Sequence, residues 1–371
     1  MLYAILYEIL GDTSIFGFNP FQVFRSISFR GAGSAITAFL ICLLLGPKVI
    51  SILAGRGVRE NVDKNPEVLR EYNSGKKNVP TMGGVLIVAS IILSTLIWGR
   101  LDQYYVVMGV LVTLFLGLLG LLDDWVKLRE PESKGLKMRA KFLPQVVLGL
   151  VLGLILLNHA ASNNYEKAGY LIFPFFRDAG IYLGIFYIIF VAFVLTGSSN
   201  AVNLTDGLDG LASGCMVIVG LAFVVFCYVA GNSNFAEYLS LTYVPGAAEL
   251  TVFCGALVGA ALGFLWHNCF PARVFMGDVG SLAMGGALGY IAVVIKHELV
   301  LVIAGGVFVA EALSVALQIG YYKRTGKRIF LIAPLHYHYR KKGWSETQVT
   351  VRFWLLSAIL ALLSLAALKV R

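Results

Sequence analysis

Asn200 to Leu211 reads NAVNLTDGLDGL and stands between two long apolar runs. Within it Asn200, Asn203, Asp206 and Asp209 recur at every third position. An α-helix turns once per about 3.6 residues, so each step of three slips by about 60° and four such side chains cannot share one helical face. Gly207 and Gly210 offer the way out, because glycine accepts backbone conformations that end a helix and lets a ligand approach the main chain. The stretch therefore reads as a helix that stops, a turn where amides and carboxylates converge on a ligand, and a second helix that leaves. Turns rich in Asn, Asp and Gly also occur as plain helix caps, but two amides and two carboxylates exceed what capping requires.

Outward from this turn the chain is built for lipid. Of 371 residues 58% are hydrophobic and 14% charged, with a mean hydropathy of +0.79, whereas soluble domains carry about 25% charged residues. A bilayer-crossing helix needs about 17–25 predominantly apolar residues. Charge-free runs from Asn78 to Gly99, Gln103 to Leu122, Phe142 to Tyr165, Ala179 to Thr205 and Gly210 to Ala236 meet that requirement outright. Gly31 to Pro47, Leu250 to Trp266, Val279 to Ile295 and Phe353 to Leu368 are shorter, and Leu299 to Tyr322 is interrupted by Glu311. The expectation is an all-α integral membrane protein, a single polytopic domain with ten spans within residues 31–369. Residues 1–30 precede them, and Leu2, Ile5, Leu6, Ile9 and Leu10 recur at the spacing of a short helix lying in the outer interface. No cleavable signal peptide is apparent, since the first 24 residues carry no Lys or Arg.

A net charge of +9 would suggest nucleic acid in a soluble protein, but in a lipid-embedded chain Lys and Arg report orientation. No nucleic-acid partner is expected. Arg56, Arg59, Lys64, Arg70, Lys76 and Lys77 fall between spans one and two, and Lys127, Arg129, Lys134, Lys137, Arg139 and Lys141 between three and four. Arg273 follows span seven, while Lys323, Arg324, Lys327, Arg328, Arg340, Lys341 and Lys342 fall between nine and ten. The opposite side holds only Arg25, Arg30, Arg100, Lys167, Arg177, Lys296, Lys369 and Arg371. The richer side is then cytoplasmic and both termini lie outside. Cys42, Cys215, Cys227, Cys254 and Cys269 show no metal-ligand spacing and read as buried small hydrophobes.

This topology brings every polar cluster to the cytoplasmic face. The third span ends in LLDDWVK, where Asp123 and Asp124 adjoin an apolar helix. Acids there are costly near lipid and unfavourable at a helix C-terminus, so the pair suits a metal or a proton. Lys127 follows Asp123 by four residues, placed to pair with it or to face a phosphate. Lys76, in GKKNVPTMGG, either reaches the headgroups or meets an anionic substrate beside Gly83 and Gly84. Span seven leads into WHNCFPARVFMGDVGS, which gathers Asn268, Phe275 and Asp278, the last able to cap the next helix as well as to bind a metal. In APLHYHYRKKGW, His336 and His338 share a face if extended and would bind a phosphate or a proton. Zinc is unsupported without further His or Cys ligands. Glu311 reads as structural, with a partner such as Gln318 on a neighbouring turn of its own helix.

Acids and lysines on one membrane face suit the bringing together of two anions. Phosphoryl transfer is catalysed chiefly by positioning and by charge neutralisation, commonly by Mg²⁺ with Lys or Arg, and carboxylate oxygens suit Mg²⁺. The residues point to a Mg²⁺-dependent enzyme acting on phosphates at the membrane surface. There is no phosphate-binding G-x-x-x-x-G-K-[ST] loop, no dinucleotide G-x-G-x-x-G, no H-E-x-x-H and no internal repeat.

The motifs carry a resemblance as well. PTMGG at Pro80, DDWVK at Asp123, NAVNLTDGLDGLA at Asn200, VFMGDVGSLA at Val274 and the histidine segment, running through GW to RFW at Arg352, are together similar to the phospho-N-acetylmuramoyl-pentapeptide-transferase family of bacterial cell-wall synthesis. That family lies within the polyprenyl-phosphate N-acetylhexosamine-1-phosphate transferases, and the match runs over nearly the whole chain. The resemblance implies ten transmembrane helices in the bacterial inner membrane and a cytoplasmic active site. It implies transfer of phospho-MurNAc-pentapeptide from UDP-MurNAc-pentapeptide to undecaprenyl phosphate, giving lipid I and UMP, with Mg²⁺ as cofactor. By motif position Asp278 resembles the metal ligand and Asp123 the residue that activates the lipid phosphate, with Asp124 beside it. His336 and His338 match the histidine segment. Lys76, Asn203, Asp206, Gly207, Leu208, Asp209 and Asn268 match positions lining the nucleotide-sugar site, and Phe275 the ring that stacks on uracil; Lys127, placed by its spacing to face a phosphate, joins them as a substrate-binding candidate. Tyr337 departs from the family's three consecutive histidines. A sister transferase loading GlcNAc-1-phosphate would share the acids but not PTMGG or the histidine segment, and a secondary transporter would carry ionisable residues near the midplane. The oligomeric state, a homodimer included, stays open.

Overall fold

The computed structural model describes residues 1–9, 20–59, 76, 79–129, 135–162, 167–176 and 179–369. Lys77 and five further basic residues counted above, Lys64, Arg70, Lys134, Arg177 and Arg371, lie outside them, as does Leu10. In chain order the helices are α1 (Ile27–Gly55), α2 (Gly84–Trp98), α3 (Tyr104–Arg129) and α4 (Met138–Ser162). A hairpin of β1 (Tyr170–Ile172) and β2 (Gly180–Tyr182) follows, antiparallel with Leu171 opposite Ile181. Then come α5 (Tyr187–Thr205), α6 (Leu211–Ala230), the short α7 (Ser233–Tyr238), α8 (Leu250–Asn268), α9 (Gly277–Val294), α10 (Glu298–Ala304), α11 (Gly306–Thr325), α12 (Leu335–Lys341) and α13 (Glu346–Ala366).

The protein is an all-α membrane protein. Among the described residues eight helices are long and apolar enough to cross a bilayer, or nine if α10 and α11, bent by 86° at Gly305, count as one broken span. The expected second span is shorter than its charge-free run, because α2 has 15 residues. The described residues ahead of it, Val79 to Met82, are not helical, Met82 taking the left-handed conformation (φ 66°), and they are occupied elsewhere. Phe275 N–H donates to Pro80 O at 2.8 Å, while Gly83 N–H and Gly84 N–H donate to Phe275 O and Met276 O at 2.9 and 2.8 Å. PTMGG and VFMGD thus lie side by side through their backbones. The segment between α4 and α5 holds the hairpin, whose three-residue strands are too brief for a legible alternation.

Glycine spacing decides how closely the helices approach. Gly255, Gly259 and Gly263 face the backbone of α1, where added Cβ atoms would lie 2.6 Å from Gly31 O and 2.6 Å from Phe39 O at the first and last, and against Ala35 O at the middle one. Hydrophobicity cannot drive helices together inside lipid, so close backbone packing of small residues does it instead. At the Gly31 end of this seam Arg30 meets Glu249 in a buried bidentate pair, 2.6 Å for each bond. Removing one partner of such a pair costs about 3–5 kcal/mol. The N-terminal segment forms a wide π-helical turn, Tyr3–Ile9, with Tyr3 flanked by Arg30 and Arg100 at 4.8 Å each. Four of the cysteines are buried as their setting suggests, whereas Cys269 is exposed.

Two expectations are corrected in the last third of the chain. Glu311 does not pair with Gln318. Its carboxylate accepts the His336 backbone N–H at 3.1 Å and lies 3.2 Å from His336 Nδ1, while Gln318 Oε1 accepts from Ile329 N–H and Phe330 N–H at 3.0 Å. The histidines do not share an extended face either, because Leu335–Lys341 is helical. Two residues apart on a helix point to different sides, and His336 is buried while His338 Nδ1 accepts from Leu331 N–H at 3.1 Å.

Candidate active site at the mouth of the helix bundle

The opening turn has the expected form. Helix α5 ends at Thr205, Asp206 follows as its cap, and Gly210 takes the left-handed conformation (φ 72°) from which α6 starts. Asn203 is still on the last turn of α5, and its Nδ2 donates to Asp278 Oδ1 at 2.7 Å and to Ser281 Oγ at 2.9 Å. Asp278 is the second residue of α9. Its carboxylate caps no helix in the described contacts but turns toward the end of α3.

There the acids gather. Asp123, Asp124 and Asp278 can present one oxygen each within 4.8 Å of one another. Asp123 and Asp124 are 2% and 4% exposed, and Asp278 9%. The approach depends on glycine: a Cβ at Gly120 would be driven into the Asp278 backbone, and one at Gly277 would lie 2.5 Å from Asp124 Oδ2. Lys127 Nζ is shared among the three carboxylates, at 2.6 Å from Asp123, 3.2 Å from Asp124 and 2.9 Å from Asp278. Lys141, from the first turn of α4, also binds Asp278 and lies 3.7 Å from Asp123. Asp123 Oδ1 accepts Leu136 N–H at 2.8 Å, which ties the α3–α4 loop to the cluster. Three formal negative charges against two positive ones leave room for a further cation. Closely set carboxylate oxygens of this number are a donor set that fits Mg²⁺, which is held by a few carboxylates together with water and substrate phosphates.

A second polar cluster lies on the other side of the turn. Lys76 Nζ bonds Asp209 Oδ1 at 2.6 Å and Glu346 Oε1 at 2.5 Å, and stands 5.8 Å from the centre of the Phe275 ring. Asp209 Oδ2 accepts Ala272 N–H at 2.9 Å, and Asp209 N–H donates to Glu346 Oε1 at 3.0 Å. Asn268 is buried with both polar side-chain atoms hydrogen-bonded: Oδ1 accepts from Gly210 N–H and Ser213 Oγ at 3.1 Å each, and Nδ2 donates to Val274 O at 2.9 Å. Leu208 packs into the apolar core. Within this structure Asp209, Asn268 and Leu208 fix the turn, while Lys76, Asp206 and Phe275 stay half-buried at its surface.

The histidine segment grips the same turn from above. Tyr337 OH donates to Gly207 O at 3.1 Å, and the His336 ring lies against the Cα of Gly207. No described hydrogen bond joins His336 or His338 to the three carboxylates. His338 titrates below the ordinary histidine range, first because partial burial disfavours its charged form and then because Lys342 is near. The GW and RFW motifs brace this segment. Arg352 stacks over Trp344 at 4.0 Å, Tyr339 stacks on Trp344 at 4.5 Å, and Trp354 Nε1 donates to Gly210 O at 3.2 Å. Sequence reasoning missed Glu346 and Lys141 as members of the site. Glu346 follows Ser345 at a helix start, where a glutamate is ordinary, and Lys141 is one of several loop lysines.

Residues 106–296 match the family profile described as Glycosyl transferase family 4. The chain is 50% identical to the phospho-N-acetylmuramoyl-pentapeptide-transferase of Desulfotalea psychrophila and 47% identical to that of Oleidesulfovibrio alaskensis, in each case over the full length of both chains.

Proposed function

The chain belongs to the phospho-N-acetylmuramoyl-pentapeptide-transferase family, and from that premise we propose that it moves phospho-MurNAc-pentapeptide from UDP-MurNAc-pentapeptide onto undecaprenyl phosphate, giving lipid I and UMP, with Mg²⁺ as cofactor. It is an enzyme, a phosphosugar transferase of peptidoglycan synthesis. The observation that carries the finer reading is the convergence of Asp123, Asp124 and Asp278 with Lys127 and Lys141 at one mouth of the bundle.

Asp278 would hold the metal, with Asp123 and Asp124 beside it. A Mg²⁺ held by these carboxylates would supply positive charge toward substrate phosphates. The protein's own groups do the rest. Asn203 fixes Asp278 by holding one carboxylate oxygen, so that the other faces the mouth. Asp123, pinned by Leu136 N–H, accepts the proton of the lipid phosphate, whose second pKa is about 6. The phosphate oxygen then attacks the sugar-bearing phosphorus and UMP leaves. Lys127 and Lys141 offer two ammonium groups to phosphate oxygens, in keeping with catalysis by positioning and electrostatics. Lys76 and Phe275 receive the nucleotide, the ring by stacking on uracil.

The site faces the cytoplasm and both termini lie outside in this reading, supported by the bias of Lys and Arg between spans. Purified protein given undecaprenyl phosphate, Mg²⁺ and either UDP-MurNAc-pentapeptide or UDP-GlcNAc tests the substrate. UMP from the first nucleotide sugar alone is expected. UMP from UDP-GlcNAc alone would move the chain to the sister activity.

A further inference from the structure

Glu311 sits on α11, inside the broken span, and is fully enclosed. Helix α11 contributes no residue to the acid cluster or to the Lys76 cluster among the described contacts, so the proposed chemistry leaves this acid unused. An isolated carboxylate in an apolar interior is costly, and such residues call for a reason. One oxygen of Glu311 serves the His336 backbone N–H at 3.1 Å and lies 3.2 Å from Nδ1 of the same residue, while the other has no hydrogen-bond partner. The Nδ1 contact is an ion-pair distance without the alignment of a hydrogen bond. His336 Nε2 is likewise buried without a hydrogen-bond partner.

What His336 does touch is Gly207. A Cβ on Gly207 would be driven into Nε2 and would come 2.9 Å from Cε1, so the imidazole fills the space that a side chain there would need. The neighbouring Tyr337 holds Gly207 O at 3.1 Å. Gly207 lies between Asp206 and Asp209 in the turn described above. Two successive residues of α12 therefore close on one glycine, and α12 is anchored from below by one carboxylate.

We infer that Glu311 is a positioning residue: through His336 it seats the histidine helix on Gly207 and so fixes the turn from Asp206 to Gly210 that serves the nucleotide sugar. His336 acts here as a wedge, since it is buried and meets none of the three site carboxylates in the described hydrogen bonds. Orphaned buried polar atoms on both partners fit this reading, because a contact kept for stability alone would favour full satisfaction or apolar replacement. The inference rests on the proposed function only for the identity of the ligand.

Glu311→Gln is the informative variant, as it keeps an acceptor for His336 N–H and removes the charge. In full-length protein without substrates, hydrogen exchange at the Asp206 to Gly210 and Leu335 to Lys341 amides should rise by about tenfold, with α3 and α9 unchanged. With UDP-MurNAc-pentapeptide, KM should rise by about five- to tenfold while kcat stays within about twofold. In a His336→Ala background the same substitution should add less than about a twofold effect, because coupled residues are not additive. Unchanged exchange at the turn, exchange raised throughout the bundle, or full additivity with His336→Ala would each overturn the inference. The exchange arm needs no turnover: if wild-type protein releases no UMP from UDP-MurNAc-pentapeptide, the proposed function fails and the positioning role is still decided.

Discussion

Asn203 Nδ2 donates to Asp278 Oδ1 at 2.7 Å, which locks the last turn of α5 to the first turn of α9. Residues 75 apart in sequence are thereby joined at the point where the carboxylates meet, and the bond leaves the second Asp278 oxygen to Lys127 and Lys141. A hydrogen bond to a charged group is worth about 1.5–3 kcal/mol. Asn203→Ala should thus lower kcat/KM by about 10- to 100-fold, and Asp278→Asn should abolish turnover and raise the Mg²⁺ requirement of any residual activity. Steady-state UMP release against Mg²⁺ concentration checks both.

Phe275 is held by its backbone between Pro80 and Gly83, with its ring beside Lys76. Base stacking on an aromatic ring is worth about 1–3 kcal/mol. Phe275→Ala should weaken UDP-sugar binding by that amount and leave the apparent affinity for the lipid phosphate unchanged, as titration calorimetry with UDP and kinetics with varied lipid phosphate would read. Equal loss for both substrates would assign the ring a structural role.

Glu346 binds Lys76 Nζ and Asp209 N–H with the same oxygen. Glu346→Gln keeps an acceptor for one of them and loses the charge that holds the lysine. KM for the nucleotide sugar should rise by about tenfold with a smaller change in kcat, the pattern of lost uniform binding. A fall in kcat at constant KM would place Glu346 in the chemistry instead.

The amide of Leu331 is tethered to His338 Nδ1, which must be neutral to accept it. Because the folded state lowers the pKa of His338, the unfolded state binds its proton first as pH falls. The stabilisation is complete above the ordinary histidine value of about 6.5 and is lost progressively below it. Hydrogen exchange at Leu331, corrected for its intrinsic pH dependence, should accelerate from pH 7.5 to 5.5 in the wild type. In His338→Ala it should be fast at both values.

Much of the fold and of the acid cluster was legible because the signals are local. Long apolar runs announce spans, and a three-residue period of Asn and Asp broken by Gly207 and Gly210 can only be a helix running into a turn. The relations that assemble the site were not local. Glu311 was matched to Gln318 seven residues on, although its partner, His336, lies 25 residues away on another helix. Lys141 and Glu346 look like any surface lysine and any helix-start acid until Asp278 and Lys76 are brought against them. The shortness of α2 was hidden because the uncharged residues before it serve a backbone ladder with Phe275 and Met276.

Attack by the lipid phosphate itself is tested by UMP release measured with Mg²⁺ and UDP-MurNAc-pentapeptide labelled in the sugar phosphate, before and after undecaprenyl phosphate is added. Direct attack by the lipid phosphate at the Asp123, Asp124 and Asp278 mouth predicts no UMP and no label on the protein until the lipid is present, then equal amounts of UMP and labelled lipid. A burst of UMP without lipid, with labelled phosphosugar on Asp123 or Asp124, would contradict it and make an aspartate the nucleophile.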